Sequence, residues 1–86
     1  MHVQLRFFAR IREALGTGQI TLELSDDVRW TPRLLAEHLA SENGELWGRE
    51  LLRANTLCAV NRTTVDAETA LSNGDEVAFF PPVTGG

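Results

Sequence analysis

The sequence predicts an α+β fold in which one mixed sheet wraps on one main helix, with short additional helices. Three observations indicate this fold: alternating apolar and polar residues near both ends of the chain, one well-capped amphipathic helix between them, and no internal repeat or linker among the 86 residues. A chain of this length forms one domain, near the lower limit at which a hydrophobic core suffices. We expect that domain to span residues 1–80 and an extended tail to occupy residues 81–86.

The chain begins with a strand, a short helix and a second strand. Val3–Phe7 alternates apolar and polar residues, as a strand with one buried face does. Phe8 interrupts the pattern, because the period of two places it on the face opposite Phe7. Ala9–Leu15 is predicted to be a short helix that glycines end, and Ile20–Leu24 alternates again. The two strands are therefore expected to pair antiparallel.

The main helix is predicted from its first residues. Thr31 can cap a helix N-terminus, and Pro32 suits the first helical position, where its missing N–H removes no hydrogen bond. Leu34–Ala40 carries an apolar stripe at helical spacing, and we expect the helix to end near Ser41. Leu46–Arg53 shows weaker helical periodicity, which an internal glycine lowers further.

Three further strands complete the predicted order of elements. Leu57–Asn61 and Thr63–Val65 are short strands, and Glu76–Phe80 follows the tight turn Ser72–Asp75. A β-grasp, the ubiquitin-like fold, satisfies this order and places the first and last strands side by side and parallel at the centre of the sheet. The pattern by itself leaves the β-grasp as one of several compatible folds.

The composition argues against several classes of function. The 12 acidic and 8 basic residues give a net charge of −4, whereas a nucleic-acid-binding protein would show a basic patch. No apolar run approaches the ~20 residues of a membrane span, and the N-terminus lacks the features of a signal peptide. We therefore expect a cytoplasmic protein that binds neither nucleic acid nor membrane. All 8 basic residues are arginine, so the chain offers no lysine that could accept an isopeptide bond.

The residue types of an independent active site are missing from the sequence. Cys58 is the single cysteine and lies in an apolar run, which predicts a buried structural residue. One cysteine cannot form an internal disulfide or hold a structural zinc ion or an iron–sulfur cluster. The sequence also shows no nucleophile–base pair and no phosphate-binding loop. We therefore expect no metal site, no stably bound cofactor and no catalysis by the chain on its own.

The last six residues suit a substrate rather than a catalyst. Pro81 and Pro82 cannot continue a sheet, and they favour an extended segment. At ~3.3–3.6 Å per residue, the segment after Phe80 could reach about 20 Å into another protein. Gly85 and Gly86 have no side chains, so they could pass through a narrow channel and leave the terminal carboxylate unshielded. Activation of that carboxylate as a mixed anhydride with AMP would open its carbon to a sulfur or amine nucleophile.

Phe8 and Phe80 are predicted to share an exposed apolar patch. If Val77 and Phe79 face the core, the period of two turns Phe80 outward. Phe8 lies on the same face provided that the first and last strands are neighbours. A large apolar patch of this kind is typical of a surface that binds a partner.

Three segments of the sequence resemble one known family. Asn73–Gly86, with its ending FFPPVTGG, closely resembles the end of the small subunit of molybdopterin synthase. Phe7–Glu13 and Ala59–Asn61 resemble the first and middle strands of the same family. The length and the order of elements match over the whole chain, and the terminal motif is the specific part of the resemblance.

The resemblance implies a β-grasp sulfur carrier in molybdenum cofactor biosynthesis. In that family an adenylyltransferase of the ubiquitin-activating type uses ATP to adenylate the terminal glycine, which is then converted to a thiocarboxylate with sulfur from a donor protein. The tail inserts into the large subunit of the synthase and donates sulfur to cyclic pyranopterin monophosphate. By position, Gly86 is the implied sulfur-bearing residue, and Gly85 is the residue that threads into the partner.

The resemblance also implies a partner-binding surface and an assembly of two small and two large subunits. The implied contact residues are Phe8, Phe80, Pro81, Pro82, Val83 and Thr84. Thr64 lies where an apolar contributor to this surface is expected. The segment Glu42–Asn55 is not diagnostic, and its role is open at this point.

Three other functions are compatible with the sequence. The thiamin-thiazole sulfur carrier has the same fold and the same terminal glycine pair. A ubiquitin-like modifier would be joined through Gly86 to lysines of other proteins. A passive β-grasp interaction module would need no chemistry at its tail, and it would keep its function after loss of Gly85 and Gly86.

Overall fold

In the computed structural model, which describes residues 1–82, five strands form one sheet and three helices pack against it. The strands are β1 (His2–Phe7), β2 (Gln19–Glu23), β3 (Leu57–Val60), β4 (Thr63–Val65) and β5 (Glu76–Phe80). The helices are α1 (Ala9–Leu15), α2 (Pro32–Asn43) and α3 (Glu45–Leu51).

The strand order β2-β1-β5-β3-β4 confirms the predicted β-grasp fold. β1 pairs antiparallel with β2 and parallel with β5, and β3 pairs antiparallel with both β5 and β4. The first and last strands of the chain therefore lie side by side at the centre of the sheet. In this register Leu5 lies opposite Val77, and Phe7 lies opposite Phe79.

The two central strands supply the middle of the hydrophobic core. Their inward residues are almost completely buried, and the rings of Phe7 and Phe79 stack with their centroids 6.2 Å apart. Burying a side chain of this size contributes about 1.5–3 kcal/mol. The helices cover these residues with apolar side chains of their own. The core residues of β1 and β5 are Val3, Leu5, Phe7, Val77 and Phe79, and those of the three helices include Ile11, Leu35, Leu39 and Leu51.

Helix α2 begins as the sequence predicts. The Oγ1 atom of Thr31 accepts a hydrogen bond from the N–H of Leu34 at 3.2 Å. The helix ends at Asn43 rather than near Ser41, because the first residue outside right-handed helical geometry is Gly44, at φ 105°. No helix within residues 1–82 is both long enough and apolar enough to cross a membrane.

Helix α3 explains part of the segment whose role the sequence leaves open. Gly48 lies against α2, where an added Cβ would be 3.2 Å from the Cβ of Ala40. The glycine that weakens the helical pattern therefore permits close packing of α2 and α3. Trp47 packs edge-on against the core. Its ring centroid lies 5.6 Å from the ring centroid of Phe7, and the two ring planes are at 88°.

A buried carboxylate connects α3 to α1. The side chain of Glu50 is 8% exposed, and its oxygens accept hydrogen bonds from Arg10 Nη1 at 3.0 Å and from Arg53 Nη2 at 3.2 Å. The hydroxyl of Thr56 donates to the backbone carbonyl of Glu50 at 2.7 Å. A carboxylate covered to this extent needs such partners, because an unpaired buried charge is strongly destabilising.

Removal of the Thr31 cap tests the origin of α2. Thr31→Ala removes the oxygen that accepts from Leu34, and we expect it to lower the free energy of unfolding by about 1 kcal/mol. Thr31→Ser keeps a capping oxygen and serves as the matched control. Urea denaturation followed by circular dichroism measures both variants, and equal stability of the two would contradict this account of the cap.

The ion pairs of Glu50 with Arg10 and Arg53 should contribute more to stability than an ion pair on the surface does. We expect Glu50→Gln to lower the free energy of unfolding by about 1–2 kcal/mol, because Arg10 and Arg53 would lose the carboxylate charge with which they pair. Water screens this interaction only partly, since the Glu50 side chain is buried. The control is Glu37→Gln, which breaks the 3.1 Å pair with Arg33 between side chains that are each 47% exposed. Denaturation that shows equal losses for both variants would refute the structural role of Glu50.

Candidate partner-binding surface and C-terminal tail

The face of the sheet opposite the helices carries the candidate site. Arg6 and Ala59 both lie opposite Ala78 of β5, and all three alternate with core residues of their strands. An open depression of about 500 Å³ lies over this part of the sheet. Its lining consists of Arg6, Phe8, Ala59, Arg62, Thr64, Glu76, Ala78 and Phe80.

Phe8 and Phe80 both line this depression, as the alternation of the two central strands predicts. Phe8 keeps an extended backbone at the N-cap of α1, and its N–H donates to the carbonyl of Phe79 at 3.2 Å. The strand geometry therefore continues one residue beyond β1, and the Phe8 side chain turns outward with 39% of it exposed. The structure places the two aromatic residues on one exposed face, and their contact with a partner stays a prediction.

Charged side chains also line the depression, and sequence reasoning missed them. The guanidinium carbon of Arg6 lies 5.6 Å from the ring centroid of Phe8. Arg6 Nη1 is 3.7 Å from Glu76 Oε2, which is an ion pair but is too long for a hydrogen bond. Arg6 Nε is buried and has no hydrogen-bond partner among the described residues. The alternation of Leu5, Arg6 and Phe7 was the available signal that Arg6 faces outward.

The β3–β4 turn sets the rim of the depression. Asn61 and Arg62 adopt positive φ values of 50° and 71°, a geometry that a two-residue hairpin requires. The Asn61 side chain fixes the turn, since its Nδ2 donates to Asp75 at 2.9 Å and its Oδ1 accepts from the N–H of Glu76 at 3.0 Å. Thr64 follows the turn and lies opposite Ala59, so a polar residue occupies the position where an apolar one was expected.

The tail starts at the edge of this surface. β5 ends at Phe80, and Pro81 and Pro82 follow it directly without strand pairing. The chain therefore leaves the sheet beside the aromatic end of the depression. The remaining tail residues to which a role was assigned lie outside the described residues, and they are Val83, Thr84, Gly85 and Gly86.

The described residues offer little other chemistry. No cluster of His, Cys, Asp and Glu within residues 1–82 could hold a metal ion. Cys58 is buried, and its Sγ donates to the carbonyl of Val65 at 3.4 Å. Burial raises the pKa of the Cys58 thiol, with a further contribution from the negative charge of Asp66, so the thiol stays protonated at neutral pH. The predicted structural role of Cys58 agrees with this environment.

Comparison with known proteins gives consistent similarities over nearly the whole chain. A molybdopterin synthase sulfur carrier subunit of Haemophilus influenzae is 48% identical over 80 residues, which cover 93% of this chain and 94% of that protein. Small archaeal modifier protein 3 of Haloferax volcanii is 36% identical over 94 residues and is covered completely, as is this chain.

A solved structure agrees with the fold. A Pyrococcus furiosus protein, provisionally described as molybdopterin converting factor subunit 1, superposes with a TM-score of 0.78 at 29% identity. The superposition covers 96% of this chain and 99% of that one. The sequence also matches the ThiS family over residues 5–86. Because this match includes almost every residue of the chain, the protein belongs to the ThiS family.

Proposed function

We propose that the chain is the sulfur carrier subunit of a molybdopterin synthase. The observation that carries the proposal is the position of Phe80, which lines the exposed depression and is the last strand residue before the tail. A partner that covers the depression would thereby receive the tail. The similarity to the Haemophilus influenzae carrier subunit, at 48% identity over most of both chains, supports the same function.

The proposed chemistry begins with activation of Gly86. Its carboxylate attacks the α-phosphorus of ATP on an adenylyltransferase of the ubiquitin-activating type, and pyrophosphate leaves. A sulfur donor protein then delivers sulfur at the oxidation level of sulfide to the carbonyl carbon, and AMP leaves with the electron pair of the broken C–O bond. The product is a thiocarboxylate on Gly86. ATP is therefore a substrate of the activating partner, and this chain holds no cofactor of its own.

The second half of the proposed reaction takes place in the large subunit. Gly85 has no side chain and lets the tail pass a narrow entrance. The thiocarboxylate sulfur attacks a carbon of cyclic pyranopterin monophosphate that bears oxygen, and the C–O bond at that carbon breaks, with its electron pair leaving on the oxygen. Water then cleaves the acyl–sulfur bond, which leaves the sulfur on the pterin and regenerates the Gly86 carboxylate. Two such transfers supply the two sulfur atoms of the dithiolene. This chain carries the reacting group, while catalysis belongs to the large subunit, in an assembly of two small and two large subunits.

The depression would supply the affinity for the large subunit. Phe8 and Phe80 are large aromatic side chains at its edge, a residue class that often dominates binding energy at interfaces. The small side chains of Ala59 and Ala78 form its floor and leave room for a partner side chain. Pro81 would complete this contact at the start of the tail.

A protein modifier is the second candidate function. The 36% identity to small archaeal modifier protein 3 favours it, and the activation of Gly86 would be the same. An amine of a target protein, rather than sulfur, would then attack the activated carbonyl. Since this chain has no lysine, its targets would be other proteins, and the conjugates would migrate more slowly than the free chain on denaturing gels.

Deletion of Gly85 and Gly86 tests the tail chemistry. We expect the truncated chain to keep its unfolding midpoint but to gain no sulfur when it is incubated with ATP, the adenylyltransferase and the sulfur donor, because the reacting carboxylate has moved. Intact-mass spectrometry of the full chain should show the exchange of one oxygen for one sulfur, mapped to Gly86. Full sulfur transfer by the truncated chain would refute the carrier function.

Aromatic truncation tests the surface. We expect Phe8→Ala and Phe80→Ala each to weaken binding to the large subunit by roughly tenfold or more, as loss of an interface anchor does. Leu46→Ala is the matched control, because Leu46 is a 42% exposed apolar residue of α3 outside the depression. Isothermal titration calorimetry measures the three affinities. Equal affinities for all three variants would place the binding surface elsewhere.

A further inference from the structure

We infer that the depression receives an acidic side chain of the large subunit, bound by Arg6 and Arg62 above the apolar floor. This inference rests on the proposed function, because it names the chemistry of the partner surface that the carrier would meet. It goes beyond an aromatic contact, since it assigns an electrostatic requirement to the surface.

The local charge of the depression is opposite to that of the whole chain. Two arginines and one glutamate line it, so its formal charge is 2 − 1 = +1, whereas the chain carries −4. A cationic region on an acidic protein selects a partner group of negative charge by complementarity. A net positive charge therefore lies at the surface beside which the tail leaves.

Arg6 is held in place but lacks good acceptors. Its guanidinium lies near the Phe8 ring, and its one carboxylate neighbour among the described residues, Glu76, is 3.7 Å away without a hydrogen bond. Its Nε atom is covered and has no partner in that part of the chain. The side chain is 40% exposed, so its outer nitrogens can be reached from solvent. A partner carboxylate would supply the charge-assisted hydrogen bonds that Glu76 does not make.

Arg62 approaches the depression from a fixed backbone. It is the second residue of the β3–β4 turn, which the Asn61 side chain ties to Asp75 and to the N–H of Glu76. Arg62 is exposed and forms no ion pair with the described residues. Because the turn is already fixed, binding at Arg62 would not cost the entropy of ordering a loop backbone.

The surroundings favour a single carboxylate over a polyanion. Arg6 and Arg62 can pair with one carboxylate, whereas the further charges of a nucleic acid or a row of phosphates would meet Glu76 and the net charge of −4. The floor of Ala59 and Ala78 accepts the methylene groups of a glutamate or aspartate side chain. The aromatic rings of Phe8 and Phe80 can cover an apolar neighbour of that acid. These features together fit an acidic side chain on a folded protein surface.

The test compares two double variants with the same loss of charge. Arg6→Gln with Arg62→Gln removes both cations of the depression, whereas Arg29→Gln with Arg49→Gln removes two exposed arginines outside it. Titration calorimetry with the large subunit should show affinity at least about tenfold weaker for the first pair and within about twofold for the second. Raising the salt from about 50 to about 500 mM should weaken the wild type more than the first pair.

The outcomes separate this inference from the proposed function. Equal affinities for the two double variants, with Phe80→Ala still impaired, would overturn the acidic contact and leave the carrier function standing. A wild-type chain that neither binds the large subunit nor passes sulfur to it would overturn both. If the first double variant has a lowered melting temperature, Arg62→Gln alone decides, because it changes an exposed turn residue. We expect a loss of about threefold for it, and no loss would again overturn the inference.

Discussion

The parallel pairing of β1 with β5 is the constraint on which the rest of the structure depends. Its register places Phe7 opposite Phe79 in the core, and the period of two then sends Phe8 and Phe80 to the other face. A slip by one residue would bury the outward set and expose the core set. The stability of the core therefore enforces the geometry of the candidate surface, and both are specified by one pair of strands.

Much of the fold could be predicted, because its signals are local. Alternation located the central strands, and Thr31 with Pro32 located the start of α2. The buried Glu50 could not be predicted, since one of its partners, Arg10, is 40 residues away in sequence. Gly48 was misleading, because a glycine that lowers helix propensity also allows close packing of two helices.

The candidate site was predictable in its apolar part and not in its charged part. The position of Phe8 and Phe80 on one face follows from alternation and strand order, which the sequence indicates. The approach of Arg62 to the same depression depends on the length and geometry of the β3–β4 turn, and the pattern of residues does not specify these. The roles of Gly85 and Gly86 stay predictions, since these residues lie outside the described part of the chain.

The position of the tail constrains how the proposed carrier exchanges partners. Six residues after Phe80 reach about 20 Å when extended, so any active site that accepts Gly86 must lie within that distance of the aromatic end of the depression. The adenylyltransferase and the large subunit would both have to cover that end, and they cannot do so together. Under the proposed function, the carrier would therefore dissociate from one partner before it binds the other. A compact surface with a few anchors suits this exchange, because a larger apolar interface would slow dissociation between the two steps.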